Sequence, residues 1–97
     1  MLIRSISGLR GLTQSHLTPK VSIAYARSLD EYLPNGVIMS GRDSRPSGEL
    51  LVDTINEELS RLGRTIIDCG IVPTPTVQFM VHSTEAVGGY IVTASHN

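Results

Sequence analysis

The sequence predicts an α/β fold: a three-layer α/β/α domain built on a small, mostly parallel mixed sheet and truncated at its C-terminal end. Three observations carry that expectation. Short apolar runs, Val37-Ile38-Met39, Thr65-Ile66-Ile67 and Tyr90-Ile91-Val92, alternate with longer stretches in which apolar residues recur at helical spacing. Helix starts and stops fall between the runs: Thr18-Pro19 and Thr74-Pro75 as openings, Pro34-Asn35-Gly36 and Gly63 as ends. The connections are short, so each strand is followed by a helix that crosses over to the next strand in the right-handed sense.

Composition narrows the function classes. The chain has 97 residues, enough for one small domain or part of one, and 40% of them are hydrophobic. A chain of this size buries roughly 60–70% of its unfolded surface. The net charge is -1 with Lys and Arg scattered, so neither a basic stripe for nucleic acid nor a polybasic run for a membrane surface is present. No apolar run is long enough to span a bilayer. Cys69 is the single cysteine, which excludes an intrachain disulfide and points to a reducing, cytoplasmic setting. Arg4 and Arg10 have no apolar h-region between them, so no signal peptide is expected. The chain contains no internal repeat, low-complexity tract or linker.

Taken in order, Leu2 to Ile6 predicts a short strand, and Ser5 to Gly11 a loop in which Gly8 and Gly11 present Arg10. An arginine on such a loop suits a phosphate or carboxylate; an exposed arginine in a surface turn is the plainer reading. Gln14, Ser15 and His16 continue as loop. The first helix starts at Thr18-Pro19, with Val21, Ala24, Leu29, Tyr32 and Leu33 near one face. Val37-Ile38-Met39 is a buried strand opening into the loop Ser40 to Glu49. There Arg42 and Arg45 either meet a phosphate or pair with Asp43 to brace the turn. Ser47 is the expected N-cap of a second helix, with Leu51, Ile55, Leu59 and Leu62 on its apolar face and Gly63 at its end. After Thr65-Ile66-Ile67, Cys69 reads as a small packed residue rather than a nucleophile. Thr74 caps the third helix, whose apolar face is Val77, Met80 and Val81 and whose last turn carries His82.

The chain closes on Gly88-Gly89-Tyr90-Ile91-Val92-Thr93-Ala94-Ser95-His96-Asn97, a strand running into a small hydroxyl-bearing loop. Ligands of α/β proteins bind in such loops, at the carboxyl ends of strands. Four segments together carry a resemblance: Ser7-Gly8-Leu9-Arg10-Gly11, Gly41-Arg42-Asp43-Ser44-Arg45, Pro73-Thr74-Pro75 and Thr93-Ala94-Ser95-His96-Asn97. In this order they resemble the N-terminal domain of the α-D-phosphohexomutases, the phosphoglucomutases, phosphomannomutases and phosphoglucosamine mutases. The resemblance covers essentially the whole chain, and it implies that residues 1–97 are an incomplete domain I whose companion C-terminal domains are absent here.

That resemblance implies an isomerase acting through phosphoryl exchange, in which Ser95 is the phosphoserine relay between hexose 1-phosphate and hexose 6-phosphate. Arg10 approaches the same phosphate, and His96 assists by hydrogen bonding or proton transfer. The implied cofactor is Mg²⁺, touching the Ser95 phosphate and held by carboxylates outside this chain, with hexose 1,6-bisphosphate as activator. Residues 1–97 alone are then expected to be inactive. The Thr-Ala-Ser form of the loop leans toward phosphoglucomutases and phosphomannomutases over phosphoglucosamine mutases. A folded but inert interaction module is the competing class. A hydrolase pair made of Ser95 and His96 is disfavoured, because adjacent residues rarely face each other and no G-x-S-x-G elbow is present.

Overall fold

The structure is a computed structural model; it describes residues 5–11, 19–44 and 46–94, with the side chains of 20–44 and 48–92. The elements run β1 (Ser5–Gly11), α1 (Pro19–Tyr32), β2 (Ile38–Arg42), α2 (Pro46–Arg61), β3 (Ile66–Ile71), α3 (Thr74–Ser83) and β4 (Gly88–Ala94). The four strands form one sheet in the order β1-β4-β2-β3, and every pairing is parallel. The last strand is therefore inserted between the first and the second.

That strand order explains the layers. From β1 to β2 and from β2 to β3 the chain steps across the sheet in one direction; from β3 to β4 it steps back. Right-handed crossovers then require α1 and α2 on one face and α3 on the other. The core divides accordingly. On one face Ala26, Leu29 and Leu33 with Val52, Ile55 and Leu59 close over Ile38, Tyr90 and Val92; on the other, Val77 and Val81 close over Met39 and Ile91. Ile91 and Val92 belong to opposite faces, as the two-residue period of a strand dictates.

The helix ends follow local chemistry. Gly63, at φ 97, ends α2. The Arg64 amide donates to Leu59 O at 2.9 Å and the Gly63 amide to Ser60 O at 3.0 Å, the paired bonds of a Schellman stop. At the end of α1 the carbonyls are met by a side chain instead. The Arg64 guanidinium, 5% exposed, donates to the carbonyl oxygens of Asp30, Leu33, Pro34 and Gly36 and to the Asp30 carboxylate at 2.6 Å. A cation is favoured at that end of the helix dipole. Across the two helices, Glu58 of α2 accepts from Arg27 of α1 and, through both oxygens, from Arg61. These bonds, Arg61 first, hold its carboxyl down at about 2.

Several boundaries differ from the sequence expectation. Residues 5–11 are a strand, not a loop, because Gly8 and Gly11 sit in a parallel ladder with β4. β2 runs on through Ser40 and Gly41 to Arg42. Gly41 is kept for close packing: a Cβ there would lie 2.8 Å from Val77 Cγ2. The buried face of α1 is Ser22, Ala26, Leu29 and Leu33, while Val21, Ala24 and Tyr32 are exposed. Leu62 is 39% exposed at the end of α2, and that helix opens at Pro46, so Ser47 lies inside it. In α3 the N-cap is Pro73 rather than Thr74. Val77 and Val81 are buried and Met80 partly so, and His82 lies exposed in the last turn.

Candidate active site

The site is the carboxyl edge of the sheet around the end of β4. Parallel pairing aligns the strand ends there. Gly11 of β1 stands opposite Ala94, Arg10 opposite Thr93, and Arg42 of β2 opposite Val92. The edge is tied further by the Asp43 amide, which donates to Val92 O at 3.0 Å, and by the Val72 amide, which donates to Arg42 O at 3.1 Å. The turns after β2 and β3 thus hang from one knot of backbone bonds beside β4.

Ser95 and His96 follow β4 directly in the chain and lie outside the described residues, as do Asn97, Arg45, Leu2 to Arg4 and the segment with Gln14, Ser15, His16 and Thr18. Arg10 is described through its backbone, in β1 beside Thr93; its side chain lies outside the description. The structure brings the chain positions of Arg10 and of the residue before Ser95 to one edge, from segments more than eighty positions apart in the sequence.

Arg42 lies against the turn that follows β2. It is half-buried, and its Nη1 donates to Asp43 O at 3.2 Å. Its Cβ and Cδ lie against the Gly48 turn at the start of α2. The side chain joins the end of β2 to the helix that follows.

One feature of this region has no counterpart in the sequence reading. Tyr90, fully buried in β4, donates its hydroxyl to Asn56 Oδ1 at 2.6 Å. Asn56 donates from Nδ2 to Ser40 Oγ at 3.1 Å, and Ser40 donates to Asp68 Oδ1 at 3.3 Å. Asp68 Oδ1 also accepts the Gly70 amide at 2.9 Å, inside the register shift where two residues of β3 lie between the partners of Ser40 and Arg42. The bonds run in one direction, from phenol to amide to hydroxyl to carboxylate, across β4, α2, β2 and β3. Burial pushes the Tyr90 phenol well above its ordinary value, so it stays a donor. The signal that could have revealed it is Asn56, a polar residue one turn after Val52 on the buried stripe of α2.

Cys69 packs on the α3 side, and burial, followed by the charge of Asp68, raises its thiol above the usual value; it is no ready nucleophile. Mg²⁺ takes an octahedron of oxygen ligands. Among the described residues no group of three or more His, Cys, Asp or Glu is placed to hold a metal ion. Among them also, no helix is long and apolar enough to cross a membrane.

Comparison with known proteins gives a consistent result. A family described as "Phosphoglucomutase/phosphomannomutase, alpha/beta/alpha domain I" matches residues 2–97. A phosphoglucomutase/phosphomannomutase of Thermococcus kodakarensis is 38% identical over 95 residues, covering 93% of this chain and 21% of the relative. A phosphoglucosamine mutase of Acaryochloris marina is 37% identical over 95 residues, with the same coverage of 93% and 21%. A phosphoglucosamine/phosphogalactosamine mutase of Sulfurisphaera tokodaii is 34% identical over 91 residues, covering 93% and 20%. The chain spans about a fifth of the length of these curated relatives. No solved structure is a significant match.

Proposed function

Since the chain belongs to the phosphoglucomutase/phosphomannomutase family as its α/β/α domain I, we propose that the longer protein is a phosphohexomutase working through Ser95. The observation that supports this is the register of β4, which ends at Ala94 opposite Gly11, with Ser95 the next residue in the chain. A serine leaving the carboxyl end of a strand flanked on both sides by parallel neighbours stands where α/β sheets bind their ligands.

In this reading a hydroxyl oxygen of a hexose monophosphate bonds to the phosphorus on Ser95 as the phosphorus bond to Ser95 Oγ breaks. The sugar hydroxyl gives up its proton to a base, a task for which His96 is the candidate in this chain. The resulting hexose 1,6-bisphosphate turns over and returns its other phosphate to Ser95 Oγ. Phosphate is conserved, and 1-phosphate and 6-phosphate sugars interconvert. Arg10 is assigned to gripping the phosphate, because a guanidinium fork matches two phosphate oxygens. The reading includes Mg²⁺ held by carboxylates outside these 97 residues, whose charge offsets that of the phosphoryl group. Residues 1–97 alone are therefore taken to be inert, and the setting to be cytoplasmic carbohydrate metabolism.

The sugar is open to direct test, because the relatives' names include glucose, mannose and amino-sugar mutases. The test is a panel of glucose, mannose and glucosamine 1-phosphates offered to the full-length protein with Mg²⁺ and hexose 1,6-bisphosphate. Conversion of at least one to its 6-phosphate, lost in Ser95→Ala, is the expected result. An absence of turnover on the whole panel would refute the reading.

A further inference from the structure

We infer that Tyr90 is a positioning residue for the Ser95 loop, holding β4 in place along its own axis through the Tyr90–Asn56–Ser40–Asp68 chain of hydrogen bonds. The functional half of this rests on the reading of Ser95 as the phosphoryl carrier; the structural half does not.

Backbone pairing with β1 and β2 sets the register of β4, and the apolar contacts of Ile91 and Val92 hold it in the core without preferred direction. Among the described residues of β4, Tyr90 alone adds a directional side-chain bond, and it does so with no exposed surface. Its ring meets the Tyr25 ring of α1 edge-on, centroids 5.9 Å apart at 70°. Its hydroxyl reaches α2 at Asn56 Oδ1, 2.6 Å away, and approaches Val52 O at 3.4 Å. Through Asn56 it is tied to Ser40 in β2 and Asp68 in β3. One side chain thus joins β4 to α1, α2 and, through the relay, both strands beyond it.

Ser95 follows Tyr90 by five residues in the chain, one position beyond the end of β4 at Ala94. A shift of β4 along its axis moves Ala94, the residue that precedes Ser95 in the chain. Phosphoryl transfer depends on placement, and a misplacement of about 1 Å costs on the order of a hundredfold in rate. Tyr90→Phe removes only the oxygen, leaving the ring and its packing, while Asn56 Oδ1 loses its buried donor.

The experiment compares the full-length wild type with Tyr90→Phe and with Ile55→Val, which loosens the same core cluster without touching the relay. Amide exchange of the peptide covering Thr93 to Asn97 and steady-state kinetics are read together. Tyr90→Phe is expected to speed that exchange several-fold and to lower kcat about tenfold with KM within about twofold, whereas Ile55→Val leaves both near wild type. Unchanged exchange in Tyr90→Phe, or an equal change in Ile55→Val, overturns the positioning role. Faster exchange in Tyr90→Phe with unaltered kcat in an active enzyme overturns its functional half. If the wild type turns over no phosphosugar, the functional reading fails separately, and exchange alone decides whether Tyr90 holds the strand.

Discussion

Gly89→Ala and Gly48→Ala are the same chemical change, and the structure assigns them opposite signs. At Gly89 in β4 an added Cβ would lie 2.9 Å from Val81 Cγ2, 3.1 Å from Val77 Cγ1 and 3.1 Å from Met39 O. Both valines are fully buried, and β-branched side chains have little rotamer freedom with which to withdraw. Met39 O is backbone inside the sheet. Overpacking of this kind costs about 1–3 kcal/mol, against about 0.4–1 kcal/mol gained from the stiffer unfolded chain. The net loss is about 1–2 kcal/mol, a fall in Tm of roughly 5–15 °C for a domain of this size. At Gly48 in α2 the nearest atoms to the new Cβ are Arg42 Cβ and Asp43 Oδ1, both 3.7 Å away, which is ordinary contact. Alanine there removes a helical glycine and should stabilise by about 0.5–1 kcal/mol. Urea unfolding and thermal melts of both variants decide the matter. A Val81→Ala background should soften the Gly89→Ala loss by about 0.5–1 kcal/mol, since one of the colliding methyls is gone. Equal tolerance of the two substitutions would refute the packing of α3 on the sheet.

Further expectations follow from the polar contacts. Arg64→Met should cost about 3 kcal/mol in urea unfolding, because the carbonyls at the end of α1 and the Asp30 carboxylate lose their donors together; Arg64→Lys should recover only part, as an ammonium cannot fork. The folded Glu58 carboxyl titrates at about 2, below its ordinary 4.5. Its contribution is therefore complete above about pH 4.5 and is lost as pH falls toward 2, so Glu58→Gln should flatten the acid limb of a stability-against-pH series in that window. Arg10→Lys in the full-length protein should slow turnover while leaving the unfolding midpoint in place, measured by paired kinetics and urea melts.

The alternation of elements was legible because each apolar run is bounded by a Pro or Gly signal, as at Thr18-Pro19, Gly63 and Thr74-Pro75. The strand-boundary errors involve glycine. Gly8 and Gly11 read as turn residues and Gly41 as part of a loop, yet Gly8 and Gly11 lie in a ladder and Gly41 gives way to Val77, thirty-six residues on. A glycine that accommodates a distant neighbour and one that turns the chain look alike until the neighbour is placed. Likewise, Ser22 and Ala26 displace Val21 and Ala24 from the buried face of α1, because the rotation of that helix is set by its packing on α2 and the sheet. The insertion of β4 between β1 and β2, and the Tyr90–Asn56–Ser40–Asp68 relay, depend on long-range pairing that no local spacing encodes. For the site, the segment after Val92 stood out by its hydroxyls, and the pairing of Gly11 with Ala94 adds what spacing lacked, that Arg10 and the residues leading to Ser95 share one edge.

Phosphopeptide mapping of active full-length protein incubated with hexose 1,6-bisphosphate shows whether Ser95 carries the phosphoryl group. Alanine at Ser95 removes activity under a hydrolase reading as well, so the site of the covalent phosphate is the discriminating observation. Phosphate is expected on Ser95, in a fraction of molecules that rises with added bisphosphate and tracks turnover. Phosphate found on another residue of turning-over enzyme, with Ser95 unmodified throughout, would contradict it.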